Sequence, residues 1–372
     1  MTPQPHILHI IPNFIVGGME VRVCSLINRF GDSLRHSIFS MNGRVDAAQL
    51  IDANIEIDYL DISFNKKSQL RNPFLFRSHL KRIRPDLLLT YNWGSIEWAM
   101  ANSLRPICPQ IHAEDGFDAD EAVAQKSGRC VARRMFLRHC HKVVVPSATL
   151  KEIAISKWRV HAPSVLHIPN GVNLSRFTNS SHSALPSELQ TDDVVVGIVA
   201  SLSPVKNHMR MLRVFSKLPS DCQAQLWIIG DGTEAKRLRQ YAGELKLEDR
   251  VKFLGHQQDP EVHLSRCDIF ALSSDSEQMP ISVLEAMASG CAIISTDVGD
   301  IREMVCSEGQ DFVVPRERED LYVQRLRQLI LDTALRVQLQ SLNRQKCASE
   351  YDRDTMFTRY RELYTEAIAS DR

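Results

Sequence analysis

Short apolar runs alternate with longer amphipathic segments along almost the whole chain. Apolar runs of this length, bounded by polar residues, predict buried strands, and the segments between them have helical spacing. Strands joined by helices are typical of a parallel sheet covered by helices. In the first half the predicted strands are His6–Ile11, Ser37–Met41, Ile55–Leu60, Asp86–Tyr91, Gln110–Ala113, Lys142–Pro146 and Val165–Pro169.

A second series of the same kind follows residues 179–193, a polar stretch without periodicity that predicts an interdomain linker. We therefore predict an α/β protein with two Rossmann-like doubly wound parallel-sheet domains, residues 1–178 and 179–351. A final helix, 352–372, has an apolar face that must be buried on one of them, and we assign it to the first. The predicted strands of the second series are Val194–Ala200, Gln225–Ile229, Val251–Leu254, Asp268–Leu272, Ala292–Thr296 and Phe312–Val314.

The composition is that of a soluble globular protein, with 44% hydrophobic and 24% charged residues in 372 positions. No apolar run is long enough to span a bilayer, and no basic region precedes the first apolar stretch, so we expect no secretory signal. Nine cysteines stand singly without a C-x-x-C pair, which disfavours a zinc site or a disulfide framework. These features predict a cytoplasmic protein.

Charge is distributed unevenly although the net charge is zero. Residues 1–172 contain 21 Lys and Arg against 15 Asp and Glu, and much of the excess lies in 66–84 and 126–142. Such stretches bind anionic lipid or phosphate-bearing ligands, or are simply solvated helix faces. We expect peripheral contact with the inner membrane face and no nucleic-acid partner.

The stretch from Ser273 to Met304 contains the strongest candidates for chemistry. It follows a predicted strand, and ligands in open parallel sheets bind at the carboxyl ends of strands. Pro280 fits the first position of a helix that ends at Gly290, and a helix N-terminus stabilises phosphate. The sequence therefore predicts a phosphate-binding position at the start of this helix.

Two carboxylates flank the predicted helix start. Glu285 lies one turn inside the helix among apolar residues, where a carboxylate needs a partner. A ribose diol would suit it, and an exposed position on the polar edge of the helix is the alternative. Glu277, eight residues earlier in the loop, can hold sugar hydroxyls or stabilise a developing cation, or it can be an ordinary surface residue.

The E-x7-E spacing of Glu277 and Glu285, within E-x-x-P-x-x-V-L-E-A-M-A-x-G, resembles the donor-site signature of glycosyltransferase family 4. The following T-D-V-G-D-I-R-E-M-V resembles that family's next strand and glycine turn. The resemblance implies the GT-B fold, in which two Rossmann-like domains face each other across a cleft and close over a nucleotide sugar. It assigns Glu277 to catalysis, and Glu285, Met279, Pro280 and Ile281 to donor binding.

Two segments of the first domain also resemble the family. Residues 11–20 resemble its N-terminal glycine loop, which implies that Gly17 and Gly18 approach the donor phosphates or the acceptor; a plain tight turn is the alternative. Residues 110–117 resemble a segment ending in E-H-G, whose histidine contacts the donor sugar. Asp115 occupies the histidine position and, being a carboxylate, cannot donate a hydrogen bond. Either Asp115 takes the role, which is our assignment, or His112 reaches the site.

In the second domain, residues 199–208 resemble the family's diphosphate loop, which reads G-R-L followed by a lysine four residues later. Lys206 matches, and the resemblance implies a catalytic pairing with the donor's β-phosphate. Ser201, which we assign to donor binding, replaces the arginine and so removes a bidentate phosphate donor. Arg210, Arg213 or a residue of the other domain are the candidates to replace it.

Three further turns follow predicted strands. Asn170 and Gly171 match the family's crossover between the two domains, which has a structural role. Gly230 and His256 are expected to line the nucleotide, although ordinary turns after strands would also place residues of these types there.

The resemblance implies retaining, metal-independent transfer of a sugar from a nucleotide-sugar donor, with no cofactor. Lys206 and the helix N-terminus would stabilise the departing diphosphate, while Glu277 would position the sugar. The expected acceptor is a glycan or lipid-linked intermediate of cell-surface polysaccharide synthesis. Ser201 and Asp115 leave open a catalytically impaired sugar-nucleotide-binding partner subunit, and a GT-B sugar-nucleotide epimerase is the other alternative.

Overall fold

The computed structural model describes residues 4–68, 70–103, 105–117, 121, 124–178, 185–219 and 221–370. The chain divides into two compact units, Met1–Asn170 with Asp354–Arg372 and Gly171–Arg353. Each unit contains one parallel sheet covered by helices, which confirms the predicted fold class. Among the described residues, no helix is long and apolar enough to cross a membrane.

The first unit contains a sheet in the order β3-β2-β1-β4-β5-β6-β7. Its strands are β1 (His6–Ile11), β2 (Arg35–Ser40), β3 (Ile57–Tyr59), β4 (Leu87–Tyr91), β5 (Gln110–Ala113), β6 (Lys142–Val145) and β7 (Val165–His167). The covering helices are α1 (Gly18–Phe30), α2 (Asn72–Ile83), α3 (Ile96–Ser103), α4 (Ser127–Phe136), α5 (Ala148–Ser156) and the C-terminal α14 (Arg353–Ala369).

The second unit contains a sheet in the order β10-β9-β8-β11-β12-β13. Its strands are β8 (Val194–Val199), β9 (Ala224–Ile229), β10 (Val251–Gly255), β11 (Ile269–Leu272), β12 (Ala292–Thr296) and β13 (Val313–Val314). Its helices are α6 (Leu174–Thr178), α7 (His208–Ser216), α8 (Ala235–Glu244), α9 (Pro260–Leu264), α10 (Ile281–Ser289), α11 (Ile301–Met304), α12 (Glu319–Leu331) and α13 (Thr333–Glu350).

Every predicted strand is present, with ends that differ by a few residues. The edge strand β3 is the shortest in its sheet together with β7, and its side chains are half-buried or exposed. In β1, alternate residues enter different cores: Ile7 and Ile11 pack with α1 and α14, whereas Leu8 and Ile10 pack with α2 and α3. Both faces of β1 are thus buried, which explains why apolar residues occupy both faces of the strand.

The boundaries of the units differ from the predicted ones. The change of unit falls at Asn170–Gly171 rather than after residue 178, because Val172 bridges to Asp352 and Phe177 packs in the core of the second unit. Residues 179–184 of the predicted linker lie outside the described residues. The rest of that stretch is anchored, since Leu185 and Leu189 are buried in the same core.

The C-terminal helix α14 groups with the first unit. Its apolar face contributes Met356, Tyr360, Leu363 and Tyr364 to the core formed by β1 and α1. The aromatic ring of Phe30 on α1 meets the ring of Tyr364 edge to face, with centroids 6.1 Å apart. The helix therefore closes one side of the first sheet.

Strand order changes direction once in each sheet, between β1 and β4 and between β8 and β11. At such a switch point the two connections leave toward opposite faces, so a crevice opens outside the carboxyl ends of the strands. In the second unit the loops after β8 and β11 contain Lys206 and Glu277. The topology thus brings these two candidates, distant in sequence, to the same place.

Candidate functional site

Lys206 and Glu277 are in direct contact at the switch point of the second sheet. Lys206 ends a 3-10 turn after β8, and its Nζ donates to Oε1 of Glu277 at 2.6 Å. The same carboxylate oxygen accepts from the hydroxyl of Ser274 at 2.7 Å. The Glu277 side chain is only 9% exposed and that of Lys206 is 23% exposed. Two oppositely charged groups are thus fixed side by side at the mouth of the crevice.

A second ion pair, between Arg210 and Asp275, joins α7 to the loop after β11. Arg210 on α7 donates to the carbonyl of Ser273 and to Oδ1 of Asp275, both at 2.7 Å. Asn207 donates to the other oxygen of Asp275 at 3.0 Å, while its own side-chain oxygen accepts from the Arg210 amide and caps α7. Sequence reasoning missed Asn207 and Asp275 because nothing in the local pattern links them. Their contacts hold the loop after β8 against the loop after β11.

Two glycines allow close approach of backbone around the site. Gly299 has φ +59, and a Cβ there would lie 2.4 Å from the carbonyl oxygen of Gln278. The amide of Asp300 also donates to that oxygen at 2.8 Å, so the turn after β12 supports the Glu277 loop. Gly230 has φ +145, and a Cβ there would lie 1.9 Å from the carbonyl oxygen of Ala200. Only glycine fits either position.

Helix α10 begins immediately beyond this loop. Pro280, predicted at the first helical position, is instead the extended residue before it, with ψ 122, and Ile281 begins the helix. No side chain in the described part of the chain caps this N-terminus, so its first amides and the positive end of its dipole can receive an anion. Met279 is buried and packs in the core beneath. Gly290 ends the helix at φ 82, as predicted.

Glu285 lies on the first turns of α10, partly exposed, between five buried apolar residues. Within the described part of the chain its carboxylate accepts no hydrogen bond. Burial raises its pKa from 4.5 to about 7, a rise opposed by Arg176 and assisted by Glu261. A charged carboxylate in this position costs free energy in the unliganded protein. Hydroxyl donors from a ligand would offset that cost.

Arg176 and Glu261 form an ion pair near Glu285 that the sequence did not indicate. Nε of Arg176 donates to Oε1 of Glu261 at 2.7 Å, and the second oxygen of Glu261 is buried with no hydrogen-bond partner among the described residues. These residues come from α6 and α9, which both pack against α10. The charge around Glu285 is therefore set by three helices of the same unit.

Ser201 stands where the family motif has an arginine, and among the described residues no bulky side chain fills that position. Ser201 is exposed, and its hydroxyl lies 3.3 Å from that of Ser203. Arg210 is engaged as described, and Arg213 forms a two-point pair with Glu319. Neither of these two candidates is therefore held free for a phosphate. His256 follows β10 and is exposed, and the carbonyl of the preceding Gly255 accepts from the Gly230 amide at 2.7 Å.

In the first unit, Asp115 is held by Arg22. The two guanidinium nitrogens of Arg22 contact the two carboxylate oxygens at 2.5 and 2.6 Å, and the Arg22 side chain is 4% exposed. The Asp115 amide donates to Oδ1 of Asn92, a residue at φ 51 after β4, and Arg22 also donates to Asn170. His112, the alternative, is fully buried between Thr90 and Glu114. Asp115 is thus at the end of β5 as expected, but ion-paired.

The glycine loop of the first unit lies at the start of α1. Gly17 is the residue before the helix, at an ordinary extended φ of −160, and Gly18 begins it. A Cβ on Gly17 would lie 2.7 Å from Oε2 of Glu20, so glycine gives that carboxylate room. Burial raises the pKa of Glu20 to about 7, with a further contribution from Asp115. Sequence reasoning did not single out Glu20.

The described residues contain no group of three or more His, Cys, Asp or Glu that could hold a metal ion. Two Asp-x-Asp spacings occur in the sequence. Asp118 and Asp120 lie outside the described residues, and Asp352 and Asp354 flank the start of α14.

Comparison with known proteins agrees with this architecture. The family model for "Glycosyltransferase Family 4" matches residues 16–176, and that for "Glycosyl transferases group 1" matches residues 184–346. The first match lies mostly on the first unit and ends a few residues into the second, and the other lies within the second unit and contains both E-x7-E carboxylates. Together they cover most of the chain.

Among known sequences, the chain is 26% identical to N-acetyl-alpha-D-glucosaminyl L-malate synthase of Bacillus anthracis over 47% of its own length, and spans only 46% of that protein. It is 24% identical to UDP-Gal:alpha-D-GlcNAc-diphosphoundecaprenol alpha-1,3-galactosyltransferase of Escherichia coli over 78% of each chain. The crystal structure of Anabaena Alr3699/HepE in complex with UDP and glucose has a TM-score of 0.82 at 20% identity, covering 98% of this chain and 100% of that one. With its two Rossmann-like units and both family matches, the chain belongs to the glycosyltransferases of the family 4 type, built on the GT-B fold.

Proposed function

We propose that the protein transfers a sugar from a nucleoside-diphosphate sugar to a glycan or lipid-linked acceptor, with retention of configuration at the anomeric carbon. The observation that supports this most directly is the juxtaposition, in one unit, of the Lys206–Glu277 pair, the start of α10 without a side-chain cap, and Glu285, whose carboxylate accepts no hydrogen bond from the described residues. Such a set offers one group for each part of a donor: cation and amides for phosphate, carboxylates for hydroxyls.

In this proposal the donor's diphosphate lies at the start of α10 beside Lys206. The ammonium is a compact charge that can follow the phosphate as negative charge develops on it. Ser274 keeps its hydrogen bond to Glu277 when Lys206 turns to the phosphate, so the carboxylate stays in place for sugar hydroxyls. Glu285, one turn further along α10, accepts from the ribose hydroxyls.

The transfer step needs no external redox partner. The bond from the anomeric carbon to the diphosphate oxygen breaks, and a bond to the acceptor oxygen forms on the same face of the sugar. The acceptor's proton passes to the departing diphosphate, whose charge Lys206 and the α10 amides stabilise. We propose that transfer needs no resident metal, so activity is expected to survive a chelator.

Both relatives support the choice of substrates within this proposal. The name of the E. coli relative specifies a UDP-sugar and a diphosphoundecaprenol-linked acceptor, and the Anabaena structure contains UDP and glucose. A nucleoside-diphosphate sugar as donor and a lipid-linked glycan as acceptor are therefore the first substrates to test. We place the reaction in cell-surface polysaccharide synthesis, on the cytoplasmic face of the membrane.

A donor-binding partner subunit without turnover is the second candidate. The specific observation in its favour is the exposed Ser201, where the family motif has an arginine, together with the engagement of Arg210 and Arg213 elsewhere. This reading predicts donor binding of ordinary affinity and no product with any acceptor.

The test is product formation from a panel of UDP-, GDP-, ADP- and dTDP-sugars with diphosphate-lipid-linked monosaccharides, followed by NMR of the new linkage. We expect one donor to be consumed only when an acceptor is present, with the donor's anomeric configuration kept in the product. Lys206→Gln should reduce turnover by roughly a hundredfold or more, as for loss of a transition-state charge contact, and the exposed Lys236→Gln should leave it unchanged. Inversion, or conversion of the donor alone, would refute the proposal.

A further inference from the structure

The solvent-exposed face of α2 contains both apolar and basic side chains. Leu70, just before the helix, is 85% exposed, and Phe74 in its first turn is 75% exposed. Arg71, Lys81 and Arg82 are also exposed. At 3.6 residues per turn these positions on the helix fall within about a third of its circumference, so they form one stripe.

This exposure does not reflect a poorly packed helix. The opposite face of α2 is buried in the core through Phe76 and Leu80, and the ring of Phe76 stacks on Trp98 of α3 with centroids 4.6 Å apart. The helix therefore already has its intramolecular partner. Phe74 and Leu70 remain outside it, and two large apolar side chains this exposed are unusual unless they contact something else.

The charge of this face is positive. From residue 62 to residue 85 the sequence contains seven Lys and Arg and no Asp or Glu. Among the described residues, none of Arg71, Lys81 and Arg82 forms an ion pair with a carboxylate. Arg82 instead contacts the ring nitrogen of His79 at 2.9 Å. A surface of exposed cations around apolar side chains complements a surface that is anionic outside and apolar beneath.

Helix α4 repeats the arrangement in the same layer. α2 packs on α3, and α3 on α4, along one side of the first sheet. On α4, Val131 is 55% and Met135 51% exposed, with Arg134 beside them. Arg133, by contrast, is buried and paired with Glu114, so it does not belong to this face. Two helices of one layer thus offer the same combination of side chains outward.

We propose that the exposed faces of α2 (Leu70, Arg71, Phe74, Lys81, Arg82) and α4 (Val131, Arg134, Met135) form a docking surface for an anionic phospholipid bilayer. The apolar side chains enter the boundary of the acyl chains and the cations lie among the headgroups. This inference rests on the proposed function, because a lipid-linked acceptor is reached only at a membrane, and it identifies the part of the first unit that makes the contact.

The experiment is co-flotation of the full chain with vesicles of phosphatidylcholine, with and without phosphatidylglycerol, at low and high salt. We expect flotation only with phosphatidylglycerol, and weaker flotation at high salt because the cations are screened. The double variant Leu70→Ser with Phe74→Ser should lower the partition coefficient by roughly tenfold or more. Lys81→Gln with Arg82→Gln should lower it to a similar degree.

Matched controls lie in the second unit. Leu331→Ser with Val337→Ser removes two exposed apolar side chains, and Lys236→Gln with Arg237→Gln removes two exposed cations. Neither pair should alter flotation. All substituted side chains are exposed, so folding is not at risk, and nucleotide binding in the same samples should be unchanged.

Three results would overturn the inference: no flotation with phosphatidylglycerol, equal flotation with neutral vesicles, or equal losses in the control variants. A dimer in solution that is broken by Leu70→Ser with Phe74→Ser would instead assign this face to a second copy of the chain. If nucleotide binds while vesicles do not, only the docking surface falls. If vesicles bind while no nucleotide does, the proposed function fails instead.

Discussion

Glu285→Gln replaces a carboxylate that the folded chain holds, within its described part, without a hydrogen-bond donor. The neutral amide has nearly the same shape, so packing against the apolar neighbours on α10 is retained. In the wild type, burial raises the pKa of Glu285 from 4.5 to about 7. The substitution therefore isolates the cost of the charge.

The magnitude follows from linkage. A rise in pKa from 4.5 to about 7 corresponds to about 3 kcal/mol between the two protonation states. Because the pKa of Glu285 is raised in the folded state, the wild type has, as far as this residue is concerned, its full free energy of unfolding below pH 4.5. It loses about 3 kcal/mol of that free energy as the pH rises through about 7. Glu285→Gln does not titrate. Above about pH 8 it should exceed the wild type by up to about 3 kcal/mol, and near pH 4.5 the difference should vanish.

The assay is urea unfolding of both proteins at several pH values. Glu97→Gln in the first unit is the matched control: burial also raises the pKa of Glu97, but Asn72 donates to its carboxylate. It should show a smaller stabilisation and no effect on ligand binding. If Glu285→Gln is no more stable than the wild type at high pH, the carboxylate is already satisfied and the reasoning is wrong.

The same group should couple nucleotide binding to pH. Hydroxyl donors from a ribose favour the charged carboxylate, so nucleoside-diphosphate affinity should rise by about tenfold as the pH passes through 7 in the wild type. Titration of the ligand's own phosphate adds to this trend. The protein's own contribution is the part of the change in affinity with pH that disappears in Glu285→Gln. That part should remain in Glu97→Gln.

Three further outcomes test the surroundings of the site. Gly299→Ala should destabilise by about 1–3 kcal/mol and weaken donor binding, because its Cβ would clash with the site loop at a positive φ. Gly128→Ala, in an uncrowded position on α4, should not destabilise the protein and should leave donor binding unchanged. Asp115→Asn should destabilise by about 3 kcal/mol in a chemical unfolding experiment, because it leaves Arg22 buried without its counter-charge. Ser201→Arg should lower the donor's KM or raise kcat by about tenfold, as an added charged phosphate contact would; a slower enzyme would mean that the position is closed to the donor.

The sheets were predictable because strand signals are local. Each apolar run identifies a strand by itself, and the polar residues between runs identify the helices and turns. The boundary between the two units was not predictable from the sequence, because the bridge from Val172 to Asp352 joins positions that share no local pattern. The apolar face of α14 indicates only that the helix is buried, and its place in the first unit depends on contacts such as that between the rings of Tyr364 and Phe30.

The candidate site was predictable only in part. The motif located Glu277, Glu285 and Lys206, and the topology explains why two of them meet. The partners of these residues were not visible, because pairs such as Arg22 with Asp115, 93 positions apart, leave no spacing signal. A pair of this kind also engages a residue at the expected position, Asp115.

The central claim is a nucleoside-diphosphate site formed by the second unit around α10, and titration calorimetry with UDP, GDP, ADP and dTDP tests it most directly. One nucleotide should bind the wild type and, at about 100 times its dissociation constant, add roughly 2.7 kcal/mol to stability. Binding should fall by at least about tenfold in Glu285→Ala and in Lys206→Ala, and remain in Lys236→Ala. If none of the four binds, or if binding is unchanged in Glu285→Ala, the proposed donor site around α10 is wrong.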